Sequence, residues 1–171
     1  MKIFAKEINS NFYQLKRLNS SNNLTPIYLS LDEAYFPYGM EEYNGTHLIN
    51  VDLNVKKHKK AIEKIRSVEE KLKDLDFIEN ILEMNFQYKS PLKFVNDKTF
   101  NARCKIREMR NKVITTCHKK YGKYKEATIF DIEKTNKADC YIEVSGVWIR
   151  GSTFGLTLHF KSITLHNLED K

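Results

Sequence analysis

The residues of this sequence that could do chemistry are concentrated in one basic stretch. Between Lys98 and Lys125 the chain has ten Lys or Arg residues and a single acid, Glu108, which is a net charge of +9. The whole 171-residue chain carries only +7. Aromatic residues are interleaved with these cations, and such rings can stack on bases while the cations neutralise phosphates. The composition of this stretch therefore predicts a binding site for a polyanion.

Three of the cations have the spacing of a single strand face. In the segment FNARCKIR (100–107), Arg103, Lys105 and Arg107 alternate with small or apolar residues that we expect to face the core. Side chains two positions apart on a strand lie on one face about 6.6 Å from each other, so they can follow a phosphate backbone. A charge run is usually a solvated face, but the lack of compensating acids favours polyanion binding. The predicted nucleic-acid-binding residues are Arg103, Lys105, Arg107, Arg110, Lys112, Lys119, Lys120, Tyr121, Lys123 and Tyr124.

The basic stretch also contains two tyrosines that are poorly placed for a hydrophobic core. Tyr121 and Tyr124 lie in HKKYGKYK (118–125), where their neighbours are lysines, a histidine and a glycine. We predict that this segment is a basic loop in which the two rings form a flexible clamp that stacks on bases. Core packing is the commoner role of a single ring, and we expect it for Phe36, Trp148 and Phe154. A second candidate face carries Tyr35, Tyr38 and Tyr43.

Residues capable of catalysis or metal binding are present but form no motif. The carboxylates are scattered, whereas two-metal nuclease chemistry needs several acids that converge on one site. The five histidines have neither HxH nor HExxH spacing, and the six glycines occur singly, so the sequence has no glycine-rich phosphate loop. We therefore expect a protein that is not an enzyme and that needs no metal and no cofactor.

The cysteine content indicates a reducing compartment. Cys104, Cys117 and Cys140 are an odd number of widely spaced cysteines, whereas zinc sites need about four ligands and usually contain CxxC-like pairs. No apolar run approaches the ~20 residues of a membrane span, and the first residues lack the apolar block of a signal peptide. We expect a soluble intracellular protein with reduced thiols and no membrane partner.

The apolar pattern predicts a mainly β chain with one helical insertion. Apolar residues recur at helical spacing across 55–73, and Asp76 can cap a second, shorter helix. Alternating apolar segments on either side predict strands, and EMRN (108–111) predicts a hairpin that joins two of them. The predicted strands span residues 2–8, 26–31, 46–53, 100–107, 112–117, 126–132, 138–150 and 154–166.

The two longest predicted strands have features of a small closed barrel. In the last strand the apolar alternation shifts by one residue at Lys161 and Ser162, and Ser145 and Gly146 interrupt the preceding strand. Such irregularities indicate bulges, which bend strands in small barrels. Helices do not alternate with the strands, so a parallel α/β sheet is disfavoured. We predict one OB-like domain over 1–171, an antiparallel five-stranded barrel with extra strands and one or two helices, with 55–90 as the helical insertion.

Four blocks of the sequence resemble a known family. They are PYGMEEYNG (37–45), FNARCKIR (100–107), EATIFDIEK (126–134) and VWIRGSTFGLTLHFKSITL (147–165). Together they are similar to the single-stranded DNA-binding proteins of nucleocytoplasmic large DNA viruses, which are relatives of the T-odd phage single-stranded DNA-binding protein and have an OB-fold. The resemblance covers most of the chain apart from the helical middle. One departure is that this chain ends in LEDK, whereas the phage-type proteins end in a long acidic tail that recruits replication partners.

The resemblance implies a function and a set of partners. It implies sequence-independent binding of single-stranded DNA in viral DNA replication, recombination or repair, in the host cytoplasm or at a viral replication site. Viral replication proteins and a second copy of the chain are the further partners that we expect. Three alternatives stay open: an RNA-binding or transcription-linked module, a metal-dependent nuclease, and a scaffold protein whose basic strip binds an acidic partner.

Overall fold

The computed structural model describes residues 1–121 and 123–166 of the chain, without the side chains of residues 121–126. In this part of the chain thirteen strands form one sheet and two more form a separate hairpin. In chain order the elements are β1 (Ile3–Asn9), β2 (Phe12–Leu18), β3 (Leu24–Thr25), β4 (Tyr28–Phe36), β5 (Met40–Tyr43), β6 (Thr46–Asn54), α1 (Lys59–Leu72), α2 (Asp76–Glu83), β7 (Gln87–Lys89), β8 (Leu92–Asn96), β9 (Thr99–Ile106), β10 (Glu108–Met109), β11 (Lys112–Val113), β12 (Thr116–Tyr121), β13 (Lys123–Ala127), β14 (Asn136–Arg150) and β15 (Thr153–His166).

Five of the strands close into a barrel. The order around it is β14, β4, β6, β9 and β15, and the pairing of β14 with β15 closes the ring. All neighbouring strands are antiparallel except β9 and β15, which are parallel. The prediction of an OB-like five-stranded barrel with extra strands is therefore confirmed. The additional strands extend its edges: β1 and β2 continue from β14, and β12 and β13 continue from β15.

Both predicted irregularities in the long strands are bulges. Where β14 pairs with β15, Tyr141 lies opposite Ser162 and Ile142 lies opposite Phe160, so Lys161 is an extra residue on β15. In the same pairing, Ser145 is the extra residue on β14. After each bulge the apolar side chains still face the barrel interior, because the one extra residue compensates for the shift in the alternation of side chains between the two faces. The shift of alternation read from the sequence is thus explained.

The helices cover part of the barrel with a single apolar face. Helix α1 buries the stripe predicted from helical spacing, with Ile62, Ile65 and Val68 at its centre. The second helix begins differently from the prediction. Leu75 occupies the N-cap position, and Asp76 is the first helical residue, where its charge favours the positive end of the helix.

Two predictions about the basic stretch are wrong in detail. The predicted hairpin at EMRN is present, but it joins the short strands β10 and β11 and not FNARCKIR and KVITTC. The end of KVITTC belongs to β12, which pairs with β13 and β15, while β9 pairs with β6, β8 and β15. Arg110 and Asn111 have φ angles of 51° and 63°, which suit a two-residue hairpin turn, so the chain reverses before it can return along β9. The segment KKYGKYK is not a plain loop, because the backbones of β12 and β13 pair up to Tyr121 and Lys123.

The strand predicted over 126–132 is also shorter than expected. Strand β13 ends at Ala127, and Ile129–Asp131 forms a short 3-10 helix. The cause is a capping box, in which Thr128 and Asp131 exchange hydrogen bonds and so compete with the extended conformation. Ile129 and Ile132 still reach the core.

The three cysteines lie in the hydrophobic core. Cys104, Cys117 and Cys140 are buried as free thiols, as predicted. Burial raises the pKa of the Cys117 thiol to about 11 and moves the pKa values of the other two upwards as well. Among the described residues, no helix is both long and apolar enough to cross a membrane.

Candidate nucleic-acid interface

The predicted alternation on β9 is confirmed. Arg103 and Lys105 are exposed on the outer face of the barrel, while the residues between them, including Cys104, are buried. In the register with β6, Arg103 lies opposite Asn50 and Lys105 lies opposite Leu48. Within the described part of the chain, neither cation has a carboxylate within 4.0 Å. Both charges are therefore available to an external anion.

Arg107 differs from Arg103 and Lys105, because it has an acidic partner. Its Nη2 atom lies 2.5 Å from the Oε2 atom of Glu143, whose side chain is only 6% exposed. A buried carboxylate is costly unless it is paired, so this contact makes Arg107 part of the fold as well as part of the basic surface. The Arg107 side chain is still 36% exposed, which leaves it accessible at the end of the series.

A neutral histidine lies next to these cations. His159 on β15 is opposite Lys105 on one side and Glu143 on the other, and its Nδ1 atom is 2.6 Å from the Oγ atom of Ser145. Burial, together with the nearby charges of Arg107 and Lys105, lowers the pKa of His159 to about 4. The ring is therefore uncharged near neutral pH and adds no charge to the face.

Four further predicted cations lie on two neighbouring elements. Arg110 and Lys112 are exposed on the hairpin of β10 and β11. Lys120 is exposed on β12, and its Nζ atom is 3.9 Å from the Oδ2 atom of Asp139. Lys119 is partly buried, because it shares the side of β12 that carries the buried Cys117. Strands β9 and β12 pair with β15 one after the other, so their cations extend along β15.

Three predicted site residues cannot be placed by their side chains. The side chains of Tyr121, Lys123 and Tyr124 lie outside the described residues. Their backbones belong to the hairpin of β12 and β13. The hypothesis of a tyrosine clamp in this segment therefore stays a prediction.

The aromatic residues predicted for the core are mostly there. Phe36 and Phe154 are buried, and Trp148 is partly buried. The second candidate face has two exposed rings, Tyr38 and Tyr43, on the connection between β4 and β6.

The sequence analysis missed a pair of tyrosines on the outer face. Tyr28 on β4 and Tyr141 on β14 stack with ring centroids 4.6 Å apart and planes at 23°. The Nζ atom of Lys161, the bulged residue of β15, lies 5.8 Å from the centroid of Tyr28. The sequence signal that could have found Tyr28 is the alternation of its strand, because Tyr28 lies between the buried residues Ile27 and Leu29. A tyrosine in such a position must point away from the core.

The described residues contain no group of three or more His, Cys, Asp or Glu side chains placed to hold a metal ion. The exposed cations and rings of this face offer contacts to charge and to aromatic surfaces. Unpaired cations can neutralise phosphates, and exposed rings can stack on bases.

Comparison with known proteins gives a structural match and no sequence match. No family model matches the chain, and no curated protein sequence matches it. Among solved structures, the chain is similar to gp2.5, a single-stranded DNA-binding protein encoded by bacteriophage T7. The TM-score is 0.59 at 13% sequence identity, and the match covers 86% of this chain and 90% of that chain. At this identity the similarity establishes a shared fold.

Proposed function

We propose that this protein binds single-stranded DNA without sequence preference and is not an enzyme. The observation that carries the proposal is the outer face of β9, where Arg103 and Lys105 are exposed and have no acidic partner among the described residues. The shared fold with a phage single-stranded DNA-binding protein supports the same assignment. The resemblance noted in the sequence extends it to viral DNA replication, recombination or repair, with viral replication proteins and a second copy of the chain as further partners.

The position of the cations on the barrel supports binding of an extended strand. In chain order β6 and β9 are the second and third strands of the barrel, and in OB-folds this is the face that binds oligonucleotides. The cations of β9 face outwards there, with Asn50 and Asp52 beside them on β6. Phosphate contacts of this kind provide affinity and orientation without reading sequence.

Titration with matched oligonucleotides tests the proposal. A fluorescently labelled single strand of DNA should bind more tightly than its duplex, because paired bases hide their faces from exposed rings. The same titration with RNA of equal sequence separates the RNA-binding alternative, and incubation with Mg²⁺ followed by gel analysis tests for cleavage. Equal affinity for single strand and duplex would contradict a single-strand function and would indicate plain attraction between charges.

A further inference from the structure

The stacked tyrosines Tyr28 and Tyr141 lie on different barrel strands from the exposed cations Arg103 and Lys105. They belong to the first and fourth barrel strands, whereas OB-folds bind oligonucleotides mainly on the second and third. The two rings are diagonal neighbours, because Tyr28 lies opposite Glu143, two residues beyond Tyr141. Tyr141 is 38% exposed, and Tyr28 is partly exposed. The pair therefore presents aromatic surface to solvent.

One continuous row of residues connects this pair to the cations. From β4 to β9 the strand registers place Tyr28 opposite Glu143, Glu143 opposite His159, and His159 opposite Lys105. Three strand spacings separate the ends of the row, which is a path of about 14 Å along the curved wall of the barrel. Arg107 lies over this row, since its guanidinium contacts Glu143. The row thus runs around the outer surface of the barrel, with cations at one end and stacked rings at the other.

The two groups between the cations and the rings do not add an unbalanced negative charge. Glu143 is neutralised by Arg107 at 2.5 Å, and the low pKa of His159 keeps its ring neutral near pH 7. On β15, which lies between β9 and the rings, the bulge at Lys161 brings another cation over Tyr28. A phosphate that approaches the rings therefore meets Lys161, and the surface along the row is free of net repulsion.

We propose that Tyr28 and Tyr141 form a base-stacking platform, with Lys161 as the cation for the phosphate of the stacked nucleotide. The proposal rests on the proposed function, because it extends the path of the single strand from the outer face of β9 across β15 and β14. A stacked ring contact with a base is worth about 1–3 kcal/mol, and it needs no particular base. The platform adds affinity that does not depend on salt.

Paired variants separate ring contact from charge. Tyr28→Leu with Tyr141→Leu keeps apolar side chains on both strands and removes the rings, whereas Tyr28→Phe with Tyr141→Phe keeps the rings. With oligo-dT the Leu variant should bind about 5- to 150-fold more weakly than wild type, which is the range given by 1–3 kcal/mol. The Phe variant should bind within about threefold of wild type, and the salt dependence should be unchanged in both. Phe94→Leu, at an exposed ring on β8, is the matched control and should bind as wild type does.

An abasic oligonucleotide of equal length gives the decisive comparison. It keeps the phosphates but has no bases to stack, so the Leu variant and wild type should bind it equally. An equal loss on oligo-dT and on the abasic strand would overturn the platform, because the rings would then act through the fold or through phosphate contacts. Wild-type affinity of the Leu variant for oligo-dT would overturn it as well. Absence of single-strand binding by the wild type would instead refute the proposed function itself.

Crosslinking tests the same contact in the unaltered protein. An oligonucleotide that carries 5-iodouracil forms photo-crosslinks to aromatic rings stacked on it, and mass spectrometry of the digest identifies the residue. Crosslinks at Tyr28 or Tyr141 would support the platform. Crosslinks confined to Tyr38 and Tyr43, or to the tyrosines of 121–124, would overturn it and would leave single-strand binding intact.

Discussion

Replacement of Arg107 should destabilise the fold, although the sequence indicates a residue of the exposed surface. We consider Arg107→Met, which removes the guanidinium and keeps most of the aliphatic stem. The change leaves the carboxylate of Glu143 unpaired, with its side chain only 6% exposed. Removal of one partner of a buried ion pair costs about 3–5 kcal/mol, because the other charge stays buried.

The partial exposure of Arg107 lowers this cost. Because its side chain is 36% exposed, water can reach the vacated position and screen the carboxylate. We therefore expect a loss of about 2–3 kcal/mol in the free energy of unfolding. In a chain of this size each kcal/mol corresponds to about 2–4 °C, so the midpoint of thermal unfolding should fall by about 5–10 °C.

Thermal and urea unfolding, followed by circular dichroism, measure this effect. Arg103→Met is the matched control, because Arg103 is exposed on the same strand without an acidic partner in the described residues, and it should change stability by less than about 0.5 kcal/mol. Arg107→Met combined with Glu143→Gln should recover part of the loss, since the buried charge is then gone. Equal unfolding midpoints for wild type and Arg107→Met would refute the reasoning.

Three further predictions follow from the buried groups. The pKa of His159 is about 4, below the ordinary value of about 6.5, so the unfolded chain takes up a proton at a higher pH than the folded protein does. The free energy of unfolding should therefore fall as the pH drops from about 6.5 to 4, and His159→Gln should flatten that part of the profile. Burial raises the pKa values of the Cys104 and Cys140 thiols, so a thiol reagent at pH 8 should leave them unmodified in the native protein and modify them on unfolding. Rapid labelling of these two residues in the native protein would contradict the buried arrangement. At Gly146 an added Cβ would overlap the ring of Phe12 and the carbonyl oxygen of Tyr13, so Gly146→Ala should cost roughly 1–3 kcal/mol of stability, whereas Gly151→Asn, at an open turn with a φ of 60°, should be tolerated.

The features that could be predicted from the sequence are those with a two-residue or helical period. The outward direction of Arg103 and Lys105 follows from alternation along one strand, and the bulge at Lys161 follows from a break in that alternation. Both depend only on local spacing, because a strand places successive side chains on opposite faces.

The features that could not be predicted depend on which strands become neighbours. The contact of Arg107 with Glu143 joins residues that are distant in the sequence, and it exists only because β9 and β14 both pair with β15. The stacking of Tyr28 on Tyr141 has the same origin, since each tyrosine is a single aromatic between apolar residues of its own strand. The hairpin turn within EMRN was predicted, but the strands that it joins were not, because the partners of β9 are β6, β8 and β15, which are distant in the sequence or unrelated to the turn.

The salt dependence of binding tests the central claim most directly. The affinity of the wild type for oligo-dT should be measured from low to moderate salt, beside Arg103→Ala with Lys105→Ala, which removes two exposed cations that have no carboxylate partner among the described residues. With three to five phosphate contacts, log K against log salt should have a slope of roughly −2 to −4, and the double variant should lose about 1.4 units of slope while it stays folded. An affinity that does not change with salt, or a variant with the slope of the wild type, would contradict the assignment of this face as the phosphate-binding surface.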